Sequence, residues 1–466
     1  MLSRRFKRTL QVLPLRRFLR RFLRRFRHRL LSPRIWIRAL VFWGGSICVG
    51  ITAIFFGIGA EWANYCEQLL WKISPYLMLL VTPLGLGTVV WITNHFFVGS
   101  QGSGIPQAIA ALNNEHVRDQ VLSLRIAFGK IILTLVGLCC GASIGREGPM
   151  VQVGATIMHS LGRFVRFSRL QSKKGLILAG GAAGIAAAFN APLAGIVFAT
   201  EELSRSHVHR TNGTILTGVI LAGVTSMGVL GDSPFFGHNS ASLQLDQAWI
   251  PVLLCGVFGG LLGGSFAHVL IAISRGGLPG KVGMFARKRP VAFATSCGFI
   301  LALIGLFSNG TTFGTGYTEA RHIIEGSQEL PLQYGILKFL ATIVSYASGI
   351  PGGVFSPSLA VGAGFGLNLS QFIPSVPVGA VILLSMVGYF AGVVQAPITT
   401  FLIVMEMTDN HEMVIPLMAT ALIATAVSRI VCPRPLYNTL AERFFPHDQP
   451  SQESSKVDEA KPHRNS

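Results

Sequence analysis

Three short segments rich in glycine and proline hold the residues of this chain best placed to do chemistry: Gly102-Ser103-Gly104-Ile105-Pro106, Gly145-Arg146-Glu147-Gly148-Pro149 and Gly352-Gly353-Val354-Phe355-Ser356-Pro357. Proline suits a first helical turn, where its missing N–H is not needed, and glycines beside it let backbones approach closely. Each segment therefore predicts the start of a helix. Helix N-termini expose unpaired N–H groups and carry about half a positive charge, so several converging in an apolar interior would hold an anion and repel a cation. One such segment alone reads as a turn between helices; three together, one with an acid, argue for a site. An ionisable residue in an apolar span is a functional candidate by default, which singles out Glu147. Ionised, its side chain would be held by the same N-termini and would occupy the anion site; protonated, it would lose that attraction and leave. One group could thus serve as gate and proton acceptor. Arg146 either adds positive potential or pairs with an acid, and both readings stay open. Glu201-Glu202 closes an uncharged run, and successive helical residues point about 100° apart, so one of the two should face inward.

The elements that must position these residues are membrane helices. Of 466 residues, 13% are charged and 50% hydrophobic, with a mean hydropathy of +0.53. That is about half the charge density of a soluble domain, which disfavours a soluble enzyme or a disordered chain. The net charge of +19 is mostly a tail property, because the first 38 residues contain 14 of the 39 basic side chains and no acid. Phe18, Phe22 and Phe26 recur every fourth residue there, beside Leu19 and Leu23, which reads as an amphipathic helix on a membrane surface rather than a nucleic-acid arm. The positive-inside rule places that end in the cytoplasm. Uncharged runs at Ala39–Ala60, Ile73–Asn94 and Ala248–Ser274 are each long enough to cross a bilayer, and the first is expected to be the first transmembrane helix. Gly175–Thr200 is interrupted at Asn190-Ala191-Pro192, and the 67 residues Phe339–Met405 contain no charge but several glycines and prolines. Helices there must be short and broken, which is tolerated at membrane depth only inside protein or beside a water-filled cavity. Seven scattered cysteines without a C-x-x-C pair, and histidines without H-E-x-x-H, give no disulfide scaffold or zinc site. His207 and His209 read as loop residues, and no cofactor is expected.

The chain also repeats itself. Lys130–Ala155 set against Lys338–Ala363, at a constant offset of 208, agrees at nine of 26 positions, among them Lys130/Lys338, Gly145/Gly353 and Pro149/Pro357. At offset 205, Ala191-Pro192 meets Ala396-Pro397 and Glu201 meets Glu406. Two homologous halves follow, 36–232 and 248–440, between a basic segment 1–35, a linker 233–247 and a polar tail 441–466. Duplicated halves with interrupted helices at matching positions point to a transporter with its site between the repeats.

The three segments resemble the selectivity-filter motifs GSGIP, GREGP and GGxFxP of the CLC family of chloride channels and chloride/proton antiporters, with the resemblance extending over about residues 36–440. It implies an all-α integral membrane fold of two inverted-topology halves built from tilted and partial helices, assembled as a homodimer with one pathway per subunit. It also implies that the Ser103 hydroxyl, the amides of Val354 and Phe355 and the Tyr437 hydroxyl hold a dehydrated chloride. Tyr437 rests on the short Arg434-Pro435-Leu436-Tyr437 context alone. Serine at 103 favours chloride over nitrate, since nitrate-handling relatives tend to carry proline. Glu147 becomes the outer gating and proton glutamate and Glu202 the inner proton-transfer glutamate, a position usually neutral in passive channels. The expected activity is therefore exchange of chloride for protons, with a passive chloride channel as the alternative. A membrane-embedded enzyme lacks support, since no general base accompanies Ser103. The polar tail from Pro446 leaves no room for the nucleotide-sensing modules common in eukaryotic relatives, so a bacterial inner membrane is expected.

Overall fold

A computed structural model describes residues 33–163, 170–204, 212–231, 235–237, 241–243, 246–326 and 330–445. The Phe18-Phe22-Phe26 segment, His207, His209 and the tail from Pro446 lie outside these residues. Among the described residues the chain forms nineteen α-helices and no strands, only two isolated bridges. In chain order they are α1 (Pro33–Ile73), α2 (Met78–Phe96), α3 (Ile105–Asn113), α4 (Glu115–Val121), α5 (Leu124–Cys139), α6 (Glu147–Leu161), α7 (Leu170–Phe189), α8 (Pro192–Phe198) and α9 (Asn212–Leu230). Then come α10 (Trp249–Ser274), α11 (Gly280–Lys288), α12 (Pro290–Phe307), α13 (Tyr317–Glu325), α14 (Tyr334–Ala347) and α15 (Phe355–Ser370). The series ends with α16 (Val378–Val394), α17 (Pro397–Thr408), α18 (Val414–Val431) and α19 (Leu436–Ala441). Among the described residues, five stretches are long and apolar enough to cross a membrane, six if α4 and α5, bent by 52°, count as one. Leucine, tryptophan and phenylalanine side chains such as Phe55, Trp62, Leu84 and Trp249 lie exposed along them, as lipid rather than water requires. The chain is an integral membrane protein.

The first helix departs from expectation. It does not stop at Ala60 but continues to Ile73, 41 residues in all. At 1.5 Å per residue that is roughly 60 Å, about twice the hydrocarbon thickness, so it must slant or project. It can pass the acids that seemed to end it because Glu67 is buried and within electrostatic reach of Lys338 and Glu319, while Glu61 faces a cavity.

The repeat seen in the sequence is a geometric one. Helix α7 ends at Asn190 in the left-handed region, φ 54°, and α8 starts at Pro192; α16 ends at Gln395, φ 58°, and α17 starts at Pro397. The two prolines open the helices and the two left-handed residues turn the chain before them. Each short helix then receives an acid from the other half. The Glu201 carboxylate accepts from the amides of Ile398 (3.1 Å) and Thr399 (2.6 Å) at the start of α17, and Glu406 accepts from Leu193 (3.0 Å) and Ala194 (2.7 Å) at the start of α8. Both acids satisfy orphan amides and oppose a helix dipole. Replacing Glu406 by alanine leaves two amides unpaired; we expect a loss of about 1–2 kcal/mol, read as a lower denaturation midpoint in detergent, with Glu201→Ala giving a similar loss. A midpoint unmoved by either change would contradict the cap assignment.

Candidate functional site: three helix starts and a buried glutamate

All three glycine- and proline-rich segments do begin helices. Gly104 stands before α3 in the left-handed region, φ 103°, a conformation glycine adopts without a Cβ penalty. Arg146 precedes α6 and Val354 precedes α15. The segments are stitched together by backbone. The Gly102 amide donates to the Ile350 carbonyl (3.2 Å) and the Gly352 amide to the Gly102 carbonyl (3.1 Å), while Gly145 and Gly353 exchange two bonds of 2.7 Å each. Gly145 and Gly353 are equivalent by the 208 offset and pair antiparallel, the arrangement expected across a local two-fold axis between the halves.

Glycine is required at the point where the three meet. A Cβ on Gly148 would lie 2.5 Å from the Ser103 hydroxyl oxygen, 3.0 Å from the Ser103 carbonyl oxygen and 3.2 Å from the Gly353 Cα. Gly148→Ala should cost about 1–3 kcal/mol of overpacking and displace Ser103. Calorimetric titration with chloride should then show weaker binding than wild type, and an unchanged affinity would mean that Ser103 takes no part in binding.

Glu147 folds back into this junction. Its side chain is 1% exposed; Oε1 accepts a 2.6 Å hydrogen bond from the Ser356 hydroxyl, Oε2 has no hydrogen-bond partner, and the Arg146 Nε stands 4.0 Å from Oε1. The carboxylate thus lies in the first turn of its own helix and is bound by the second residue of α15, where the positive ends of two helix dipoles favour a negative charge. Arg146 also stacks over the Phe235 ring at 5.7 Å. With Glu147, Ser356, Glu61, Asn64, Tyr317 and Arg321 it lines a cavity of about 450 Å³. Arg146 thus lies beside its neighbour Glu147 and at the rim of the cavity.

On the far side of Glu147 the structure gathers residues distant in sequence. Ser103 is 2% exposed and Tyr437 0%, and their hydroxyls lie within hydrogen-bonding reach of each other. A bond between two hydroxyls uses only one of their two protons, so one donor is left for a further acceptor. The Tyr437 hydroxyl lies within electrostatic reach of Ser103, Glu202 and Glu147, and its ring meets that of Phe355 edge-on at 5.8 Å. Phe355 is itself packed among Phe189, Phe198 and Phe390, which fixes the start of α15. Val354 is buried beside it. Of the Glu201-Glu202 pair, Glu202 is wholly buried while Glu201 reaches out to cap α17.

Two buried lysines stood in the sequence without a role. The Lys130 ammonium, wholly buried on α5, donates to the carbonyls of Ser100 and Gly102 at 2.8 Å each. Its repeat partner Lys338, equally buried on α14, donates to Thr312 (2.9 Å), Phe313 (3.2 Å) and Gly314 (2.9 Å). Each ties down the loop before a short helix, α3 in one half and α13 in the other. The signal was present: two cations in apolar helices, in register across the repeat.

These features define an integral membrane protein of two duplicated, interlocked halves whose short helices start against one another deep in the fold. The family profile described as "Voltage gated chloride channel" matches residues 84–429, and the chain belongs to that family, the CLC family. It is 28% identical over 426 residues to the H(+)/Cl(−) exchange transporter ClcA of Yersinia pseudotuberculosis serotype IB, covering 85% of this chain and 86% of that one. With ClcA of Vibrio vulnificus strain YJ016 it shares 28% over 422 residues, covering 87% and 89%. Among solved structures it is similar to a slow cyanobacterial Cl⁻/H⁺ antiporter, with a TM-score of 0.72, 26% identity, and coverage of 89% of this chain and 98% of that one. A CLC-type fluoride/proton antiporter shares the fold at a TM-score of 0.70 and 23% identity, with 85% and 96% covered. The protein is a transport protein of this family and not an enzyme.

Proposed function

We propose that the protein is a secondary active transporter that exchanges chloride for protons. The observation that carries this reading is the placement of two buried glutamates, Glu147 and Glu202, both within electrostatic reach of the same buried hydroxyl of Tyr437. Chloride is held by the hydroxyls of Ser103 and Tyr437 and by the amides of Val354 and Phe355. Glu147, when ionised, competes for the place of the anion; protonated, it withdraws towards the cavity lined by Arg146 and Arg321. Glu202 passes the proton to and from the opposite side. The relatives named as exchange transporters support the reading, since they align over most of their length. In the assembly we propose, two copies associate in a bacterial inner membrane with the N-terminus in the cytoplasm. The second reading, a passive chloride channel, is favoured by the family's descriptive name and opposed by the acid at 202.

Paired recording of chloride and proton movement in proteoliposomes separates the two. An outward chloride gradient should drive protons uphill into the vesicles. In Glu202→Gln that uptake should disappear while chloride still moves, and uptake at the wild-type rate would remove Glu202 from the proton path.

A further inference from the structure

The residue between α16 and α17 does more than turn the chain. Gln395 is buried, and its side chain crosses to the end of α18. Its Nε2 donates to the Cys432 carbonyl at 2.6 Å and to the Ser428 hydroxyl at 3.1 Å, and that hydroxyl donates to the Gly392 carbonyl of α16 at 2.6 Å. Carbonyls at a helix end have no partner within the helix, and Gln395 supplies one for Cys432. The left-handed backbone at Gln395, φ 58°, suits glycine better than an amide side chain, so the turn alone does not account for glutamine here.

The gripped carbonyl leads to Tyr437. Between Cys432 and Tyr437 lie Pro433, Arg434, Pro435 and Leu436. Each proline fixes its own φ and keeps the residue before it extended, as Cys432 is, at φ −132° and ψ 90°. The stretch is stiff, so a shift at Cys432 is passed on. Its other bonds are local: the Cys432 thiol to the Arg434 carbonyl (3.3 Å), and the Thr439 amide (3.1 Å) and hydroxyl (2.8 Å) to the Pro435 carbonyl. Past Tyr437, Arg443 donates to the Ser274 hydroxyl (3.1 Å) and Glu442 pairs with Arg275 (3.2 Å), which ties the far end of α19 to α10. Held at both ends, α19 packs on α3, the helix that Ser103 precedes, and sets the Tyr437 ring 5.8 Å from that of Phe355. The first half carries the same device. Asn190, also left-handed, donates to the Gly231 carbonyl just beyond α9 at 3.4 Å. Only in the second half does the gripped carbonyl lead on to a hydroxyl beside Ser103.

We propose that Gln395 is a positioning residue for chloride: by holding the Cys432 carbonyl it fixes where α19 begins and keeps the Tyr437 hydroxyl at the anion site. The effect on chloride rests on the site proposed above; the hold on α19 does not.

Full-length protein in detergent is compared with its variants by calorimetric titration with chloride and by amide hydrogen exchange of the peptide spanning 432–441. Gln395→Met keeps the side chain's length and removes its donor, and Gln395→Gly removes the donor while suiting the backbone. In both, the peptide should exchange faster and chloride should bind about three- to tenfold more weakly, the fold-change of one lost hydrogen bond. Ser428→Ala takes a buried bond from the same helix contact but leaves Cys432 held, so it should change neither readout. In a Tyr437→Phe background, Gln395→Met should weaken chloride no further, because both changes act through one hydroxyl. Wild-type exchange in the Gln395 variants, or equal loosening and weakening in Ser428→Ala, would overturn the proposal. So would a Gln395→Met effect that adds in full to that of Tyr437→Phe, or wild-type affinity in the Gln395 variants beside a weakened Tyr437→Phe. Chloride bound as in wild type by Tyr437→Phe would count against the anion site itself, while exchange of 432–441 would still decide whether Gln395 holds α19.

Discussion

Glu147→Ala is expected to abolish proton movement and to leave chloride flux running. In the structure the carboxylate is held by the 2.6 Å bond from Ser356 and by the start of α15. A hydrogen bond to a charged group contributes about 1.5–3 kcal/mol net. Since about 1.4 kcal/mol is a factor of ten, the ionised side chain would hold off a competing anion by roughly ten- to a hundredfold. Alanine removes both the competitor and the carboxylate proposed to take the proton, so the two ions lose their link. Fluorescent pH recording and a chloride electrode on the same vesicles give both quantities at once. Proton uptake that persists under a chloride gradient in Glu147→Ala would refute the role given to this residue.

What the sequence disclosed and what it withheld divide along a physical line. The three helix starts were legible because their cause is local: proline and glycine act within one turn, and an acid among apolar residues stands out in any register. The broken run at Asn190-Ala191-Pro192 was legible for the same reason, and its counterpart at Gln395-Ala396-Pro397 repeats even the left-handed residue. Glu201 and Glu406 were visible as a matched pair, but not the exchange by which each caps the other half's helix, because that partnership is set only when the halves pack. The length of α1 was hidden because Glu61 and Glu67 read as the end of a span; Glu67 is buried there, within electrostatic reach of Lys338, some 270 residues on. Tyr437 shows the limit most plainly. No local feature distinguishes it from an interfacial aromatic, and only the fold brings its hydroxyl to Ser103 and Glu202.

The buried lysines allow the duplication to be used as an internal control. Both sit at the same repeat position, both are wholly buried, and both bond to loop carbonyls, yet their surroundings differ. Around Lys130 there are only carbonyls, those of Ser100 and Gly102, which flank the approach to Ser103. Around Lys338 stand carbonyls together with the carboxylates of Glu67 and Glu319. Lys130→Met exchanges an expensive buried charge for a side chain of similar length, so its cost in stability is offset by the desolvation it avoids. What it loses is the hold on the loop that carries Ser103. Chloride affinity should drop at least tenfold, about 1.4 kcal/mol, with a modest change in denaturation midpoint. Lys338→Met leaves the buried carbonyls of Thr312, Phe313 and Gly314 without their donor, about 1–3 kcal/mol for each group left unsatisfied, so here stability should fall while the protein that remains folded binds chloride nearly as before. Calorimetric titration and detergent denaturation on the two variants give four numbers. The assignment fails if Lys130→Met keeps wild-type affinity or if Lys338→Met keeps wild-type stability, because the division of labour between the lysines follows from which loop each one grips.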